Sequence, residues 1–400
     1  MDSESPGKSE RGVLAVVTSS HLSQHFYGGL SILYPYMMSD LSLSYTQLGI
    51  FSGVNNMTSG FLQFAFSLLE RYVSRRVLLG LGNIVASIGS FFTGVATWFG
   101  DLVGASALSG GGLAAQHPVG TSIITTKFPR DKMAGALSIH YGFGYVGNIL
   151  SPILLSSVAV QFGWRPATYV LAAVPLLTGL AVLLYLRGEK SAMRVIPTRG
   201  SSTLSRDLRS ALHVRSAILV VAVQAFASSG TGQDAITTYL PLFLQNELKV
   251  GILETSVIFS IAVAGGVFGT IFFGHLANRL GSLKIAIGLL GMGSVIIFLL
   301  VFDNSYGPLL ILHLIILGIT SFSYPTLLQS HIASISTPEQ RGILLGLFFT
   351  IGFGVSAVWA TLTGFAIDIF GSFNAAWILR TILGVIAFLI ALEAWRQRPT

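Results

Sequence analysis

Apolar stretches of about 20 residues or more recur along the whole chain, each closed by a short polar segment. A helix needs about 20 such residues to cross the hydrocarbon of a bilayer, so each stretch reads as a membrane-spanning helix. The pattern predicts twelve spans, at about 12–38, 44–68, 76–97, 101–126, 131–160, 164–186, 214–245, 251–275, 283–302, 308–333, 339–368 and 373–396. The fold class expected is an all-α membrane protein of twelve transmembrane helices in two pseudo-symmetric six-helix bundles. Residues 1–11 form a polar N-terminal tail, 12–186 the first bundle, 187–213 a linker and 214–396 the second bundle.

Composition agrees with this pattern. Of the 400 residues 52% are hydrophobic and 10% charged, and the mean hydropathy is +0.73. A soluble protein carries roughly 25% charged residues. Glycine is abundant, as expected where helices approach closely in lipid. The first apolar stretch is too long for a cleavable signal and lacks a clear small-residue cleavage site. No cysteine is present, which excludes disulfides and thiolate metal sites.

The net charge of +7 raises the question of nucleic acid, and the placement of the charges answers it. Twenty of the 23 Lys and Arg residues fall at the termini, in the linker or in loops on one side, such as Arg75, Arg76, Lys127, Arg130 and Lys284. Two, Arg165 and Lys249, fall in loops on the other side, and Arg380 lies within span 12. Basic loops mark the cytoplasmic side. Both termini and the linker are therefore expected in the cytoplasm of a cell whose inner membrane holds the protein. The basic excess reports topology, and nucleic acid is not an expected partner.

The halves repeat at an offset near 208 residues. Tyr34-Pro35 matches Leu240-Pro241, and Glu70-Arg71 matches Asn278-Arg279. The QHP at 116–118 matches SYP at 323–325, GFG at 142–144 matches GFG at 352–354, and QFG at 161–163 matches IFG at 369–371. Five pairs in order indicate duplication, and duplicated halves are a transporter architecture. The segment GHLANRLGSLK at 274–284 resembles the loop 8–9 signature of the major facilitator superfamily, and GWR at 163–165 fits it too. The loop 2–3 copy is degenerate: Phe66 and Val73 stand where glycines are usual, and Glu70 replaces aspartate. The opening HLSQHFYGGLSILYP at 21–35 looks like the first span of the fosmidomycin-resistance-like branch, with His25 where aspartate is usual. The resemblance implies that spans 1, 4, 7 and 10 line a cavity. It also implies that Glu70, Arg71, Arg75, Gly274, Asn278 and Arg279 form a cytoplasmic gate.

Polar residues inside lipid need a partner or a purpose, because a charge at mid-bilayer costs about 2.5–3.5 kcal/mol on insertion scales. Asp234 in SSGTGQDAITTYLP reads as a lone carboxylate within span 7. It is either a proton carrier or a structural cap on a kinked helix among Ser228, Ser229, Gly230 and Gly232. His21 and His25 are one turn apart on span 1, a spacing that suits metal ligands. With no second such pair and no acidic cluster, a cavity-lining pair handling protons or substrate is expected instead, with a packed, hydrogen-bonded role as the alternative. Asp234 and His25 are the proton-coupling candidates, expected to form one titrating unit. His21, Tyr27, Asn55, Asn56, His117, His140, Asn148, Gln233 and Tyr239 are the candidates for the substrate cavity. His117 and His140 are expected at similar depth. Arg380 is expected near the outer face, snorkelling or paired with Asp368.

No phosphate loop or nucleophile triad occurs, so neither an enzyme nor an ATP-driven pump is expected. The expected protein is a monomeric secondary transporter that needs no cofactor and binds no metal. It exports a small organic compound in exchange for protons by alternating access. Uptake of a small organic anion is the alternative, and a non-transporting membrane sensor or scaffold the second.

Overall fold

A computed structural model describes residues 8–70, 72–193 and 208–397, all as helices and short connections without any strand among them. The helices are α1 Glu10–Phe26, α2 Tyr34–Leu41, α3 Tyr45–Leu69, α4 Arg75–Val95, α5 Phe99–Leu113, α6 Thr121–Lys127, α7 Arg130–Gly144, α8 Val146–Phe162, α9 Trp164–Tyr185 and α10 Lys190–Met193. After the linker come α11 Arg215–Gly230, α12 Leu240–Leu242, α13 Ile252–Leu280, α14 Ser282–Leu299, α15 Pro308–Ile335, α16 Pro338–Phe370 and α17 Phe373–Arg396. Among the described residues, eight helical stretches are long and apolar enough to cross a membrane.

The predicted spans 1, 4 and 7 are interrupted rather than continuous. Span 1 passes through a 3-10 stretch, Tyr27–Leu33, between α1 and α2. Span 4 carries a π turn at Gln116–Gly120, around Pro118, between α5 and α6. Span 7 breaks after α11 and runs through π turns at Ala235–Tyr239 and Phe243–Glu247 on either side of α12. Proline removes one backbone donor and clashes with the preceding turn, and Pro118 and Pro241 lie at two of these breaks. Irregular backbone at this depth is tolerated where protein or a polar cavity surrounds it, and π turns concentrate at functional positions. Span 10 carries Pro325 yet stays helical throughout α15.

Helix ends follow local chemistry. Ser9 caps α1 by accepting from the Gly12 amide. Thr337 and Gln340 form a reciprocal capping box at the start of α16, with proline in its first turn. The repeat extends to backbone conformation: Gly163 ends α8 at φ 89° and Gly371 ends α16 at φ 62°, both in the left-handed region open to glycine. Gly281 ends α13 at φ 89°, whereas Val73 in the loop 2–3 copy is not among the residues of positive φ. There the chain turns through amides of Tyr72 and Val73 that both bond the Leu69 carbonyl. The degenerate copy thus makes its turn without the usual glycine.

Contacts group the chain into two compact units, Met1–Leu30 with Phe61–Thr198, and Ser31–Gly60 with Arg199–Thr400. In the first, Val13, Val17, Leu79, Val119, Ile123, Ile124 and Val182 form a buried apolar core. In the second, Val220, Val223, Leu290, Leu328, Ile332 and Phe348 do so. The second unit holds α2 and the first part of α3.

Candidate functional site

In the first unit, α1 presents polar residues on two faces. Ser20 and Ser23 meet α4 and the π turn of span 4: Ser20 donates to Gln116 Oε1 at 2.6 Å, and Asn83 donates to Ser20 at 2.6 Å. Ser23 donates to Asn83 Oδ1 at 2.9 Å, closing a buried network. The other face carries His21, Gln24 and His25, which meet His117 from the π turn and His140 from α7. His21 stacks on His140 with ring centroids 4.4 Å apart, and its centroid lies 5.3 Å from that of His117. The Nε2 atoms of His21 and His25 are 3.2 Å apart, and the His25 and His117 centroids 6.4 Å.

Four imidazoles therefore form one cluster. His117 and His140, expected at similar depth, both meet the His21 ring. Gly144 permits it, since a Cβ there would collide with the His21 ring. His21 and His140 are fully buried, whereas His25 and His117 are half-buried. His21 Nδ1 lies 3.0 Å from the His140 carbonyl, His25 Nδ1 3.2 Å from Asn148 Nδ2, and His117 Nε2 3.2 Å from Gln24 Nε2. Tyr141 and Tyr145 pack on the cluster, with centroids 5.4 Å from His21 and 4.6 Å from His25. Tyr27 begins the 3-10 stretch just beyond and is half-buried. Among the described residues no group of three or more His, Cys, Asp or Glu is arranged to hold a metal.

Asp234 is not a lone carboxylate. Arg380 Nη2 donates to its Oδ2 at 2.8 Å, and Thr238 donates to Oδ1 at 2.8 Å. Arg380 is fully buried on α17, also donates to the Ser229 carbonyl, and lies over the Tyr239 ring at 5.0 Å. The expectation of a snorkelling Arg380 or an Arg380–Asp368 pair is thus overturned. The break after α11 carries Asp234 to Arg380, seven residues or about two turns into α17. Of the titrating unit expected of Asp234 and His25, Asp234 sits in an ion pair within the second unit and His25 in an imidazole cluster within the first.

Asp368, near the end of α16, has another role. Its carboxylate accepts from the backbone amides of Tyr45 at 3.0 Å and Thr46 at 2.8 Å, and from the Thr46 hydroxyl at 2.5 Å. Those are first-turn amides of α3, which lack intrahelical acceptors, so Asp368 caps α3 from another helix. Nearby, Ser52 on α3 bonds Thr238 at 3.0 Å, and Tyr239 donates to the Ala360 carbonyl, which Gly49 approaches closely. Asn55, Asn56 and Gln233 are half-buried in the same unit.

The gate motif is asymmetric. Arg75 Nε meets Glu70 Oε2 at 2.9 Å with both side chains buried, and Ser122 donates to the same oxygen at 2.8 Å. Arg75 also donates to Thr126 and to the Ser191 carbonyl at the start of the linker, each at 2.9 Å. Next to it Glu189 binds Lys127 at 3.1 Å; burial raises its carboxyl, but Lys127 and Ser191 hold it below the ordinary value. Gly274 is half-buried, Asn278 and Arg279 are exposed at the end of α13, and Arg71 lies outside the described residues.

Comparison with known proteins places these sites in a family context. The model of the Major Facilitator Superfamily matches residues 17–361. An uncharacterized MFS-type transporter of Bacillus subtilis, YfnC, is 24% identical over 97% of this chain and 94% of its own. The fosmidomycin resistance protein of Escherichia coli is 24% identical over 89% of this chain and 86% of its own. Among solved structures, a single-site variant of the nucleoside transporter NupG has a TM-score of 0.82 at 14% identity, covering 96% of this chain and all of that one. A bacterial homologue of the human lysosomal transporter Spinster, inward-facing and unoccupied, has a TM-score of 0.74 at 17% identity, covering 98% of each chain.

Proposed function

The chain belongs to the Major Facilitator Superfamily, whose members are membrane transporters rather than enzymes, and we propose that it is a proton-coupled secondary transporter of a small organic compound. It resides in the inner membrane as a monomer, with both termini and the linker cytoplasmic, in keeping with its basic loops. The observation that carries the reading is the cluster of His21, His25, His117 and His140. Imidazole is the side chain whose ordinary titration falls near neutral pH, and two of these rings are half-buried while two lie fully buried. A proton accepted at His25 or His117 has buried neighbours to share it with. Proton handling thus moves from Asp234 to the histidines, and Asp234 with Arg380 anchors the break in span 7.

The contacts of Asp368, Tyr239 and Thr238 with α3 form the outer gate, and Glu70, Arg75 and Arg279 belong to the cytoplasmic one. Alternating access makes and breaks such contacts in turn. Export is the direction favoured by the name of the Escherichia coli relative. Expression in fosmidomycin-sensitive cells tests it: export predicts a raised tolerance that His25→Asn removes, and unchanged tolerance with the protein present in the membrane counts against that direction. Uptake of a small organic anion is a second reading. It is favoured by one observation, that among the described residues of the first unit no carboxylate joins the imidazole cluster.

A further inference from the structure

Every described carboxylate of the first unit lies near a helix end, away from the histidines. Glu10 pairs with Lys132, Glu70 with Arg75 and Glu189 with Lys127. Asp101 caps the turn at Thr97, and Asp131 is exposed in the first turn of α7. The elements packed around the cluster bring no fixed negative charge to it. From α1 come His21, His25 and Gln24; from the π turn of span 4, His117; from α7 and its end, His140, Tyr141 and Tyr145; from α8, Asn148. On α4, Asn83 faces Ser20 and Ser23, while Arg75 and Arg76 bond groups toward the basic end. On α9, Arg165 and Tyr169 bond the Gly94 carbonyl at one end, and Tyr185 meets Lys8 at the other.

A proton taken up by this cluster therefore creates a cation with no counter-charge of its own. Such a charge inside a membrane protein requires a partner. The first unit leaves that partner to be supplied by the substrate. Two buried polar atoms of the cluster, Gln24 Oε1 and His140 Nε2, make no hydrogen bond with any protein group, so the protein alone does not complete the site.

We infer that the face formed by His25, His117, Gln24 and Asn148 binds an anionic group of the substrate, and that proton and anion bind together rather than in competition. Asn148 Nδ2 and the protonated imidazoles supply the donors that a carboxylate, sulfonate or phosphonate oxygen accepts. Gln24 Oε1 accepts a hydroxyl or amine of the same molecule. Cooperative binding sends proton and anion across in the same direction, as the second reading, uptake, requires, whereas competition would exchange them and belongs to export. The inference rests on the histidine reading given above and adds the charge of the substrate to it.

The test uses the full-length protein purified in detergent. Binding of benzenesulfonate and of mandelate is measured by thermal shift and calorimetry between pH 8 and pH 5.5, against the fixed cation benzyltrimethylammonium. Where the ligand-free cluster is still unprotonated, one proton taken up with each anion makes binding tighten about tenfold per pH unit as pH falls, levelling off where the ligand-free cluster titrates, and His25→Asn with His117→Asn removes that slope. Proton uptake by the ligand-free protein is titrated in parallel, on the wild type and on the same variant. If the variant takes up as many protons as the wild type, the histidine reading itself fails. If proton uptake drops in the variant but neither anion binds, or binding is independent of pH, or only the cation binds, this inference is overturned while the proton site stands.

Discussion

Arg380 and Asp234 form a fully buried ion pair, Nη2 to Oδ2 at 2.8 Å, joining the first turns of α17 to the break in span 7. The same carboxylate accepts from Thr238, and Thr238 in turn bonds Ser52 on α3. A charge pair in the second unit is thus connected through one hydroxyl to the helix capped by Asp368.

Removing one partner of this pair leaves the other charge buried and uncompensated. Asp234→Asn and Arg380→Met are each expected to lower stability by about 3–5 kcal/mol. The double variant is expected to recover most of that loss. Unfolding of the purified protein in detergent checks it; a double variant as unstable as the singles would show that packing, not charge, dominates.

Asp368 holds two first-turn amides of α3, so Asp368→Ala is expected to loosen that end. Capping interactions are worth about 0.5–2 kcal/mol, enough to change the fraction of time spent closed several-fold. The chain contains no cysteine, which makes single-cysteine labelling direct. Leu48 is fully buried one turn into α3. A cysteine introduced by Leu48→Cys is expected to react several-fold faster with an impermeant maleimide when Asp368→Ala is added. Equal rates would remove Asp368 from the gate.

The two copies of the gate motif are expected to respond differently. Glu70→Gln breaks a buried pair that also holds Thr126 and the Ser191 carbonyl through Arg75, and should cost about 3–5 kcal/mol. Arg279 is exposed, so Arg279→Ala should change stability by less than about 0.5 kcal/mol while lowering cross-linking across the cytoplasmic mouth. Similar losses of stability from both substitutions would contradict this asymmetry.

Much of this architecture is written in hydropathy. Apolar length placed the helices, and the offset between halves anticipated Gly163 and Gly371 as matching helix ends. The histidines were conspicuous because polar residues are rare in such stretches. Their convergence was only partly legible, since it depends on a π turn at Gln116–Gly120 that rotates His117, and periodicity at 3.6 residues per turn carries no trace of a π turn. Arg380 was misplaced for a related reason: span 7 breaks at Gly232, and a straight-helix count cannot say which helix its carboxylate will meet. Asp368 escaped as a cap because its donors are backbone amides more than 300 residues away, which have no side-chain signature.

The central claim is that the imidazole cluster takes up the coupling proton, and potentiometric titration of the purified full-length protein between pH 8 and pH 5 tests it most directly. Proton uptake by the wild type is compared with that of the variant carrying His25→Asn and His117→Asn, the two half-buried members of the cluster. The cluster reading predicts about one proton fewer in the variant, lost from the part of the curve where imidazoles titrate. Superimposable curves would mean that these histidines stay neutral throughout, and would contradict it.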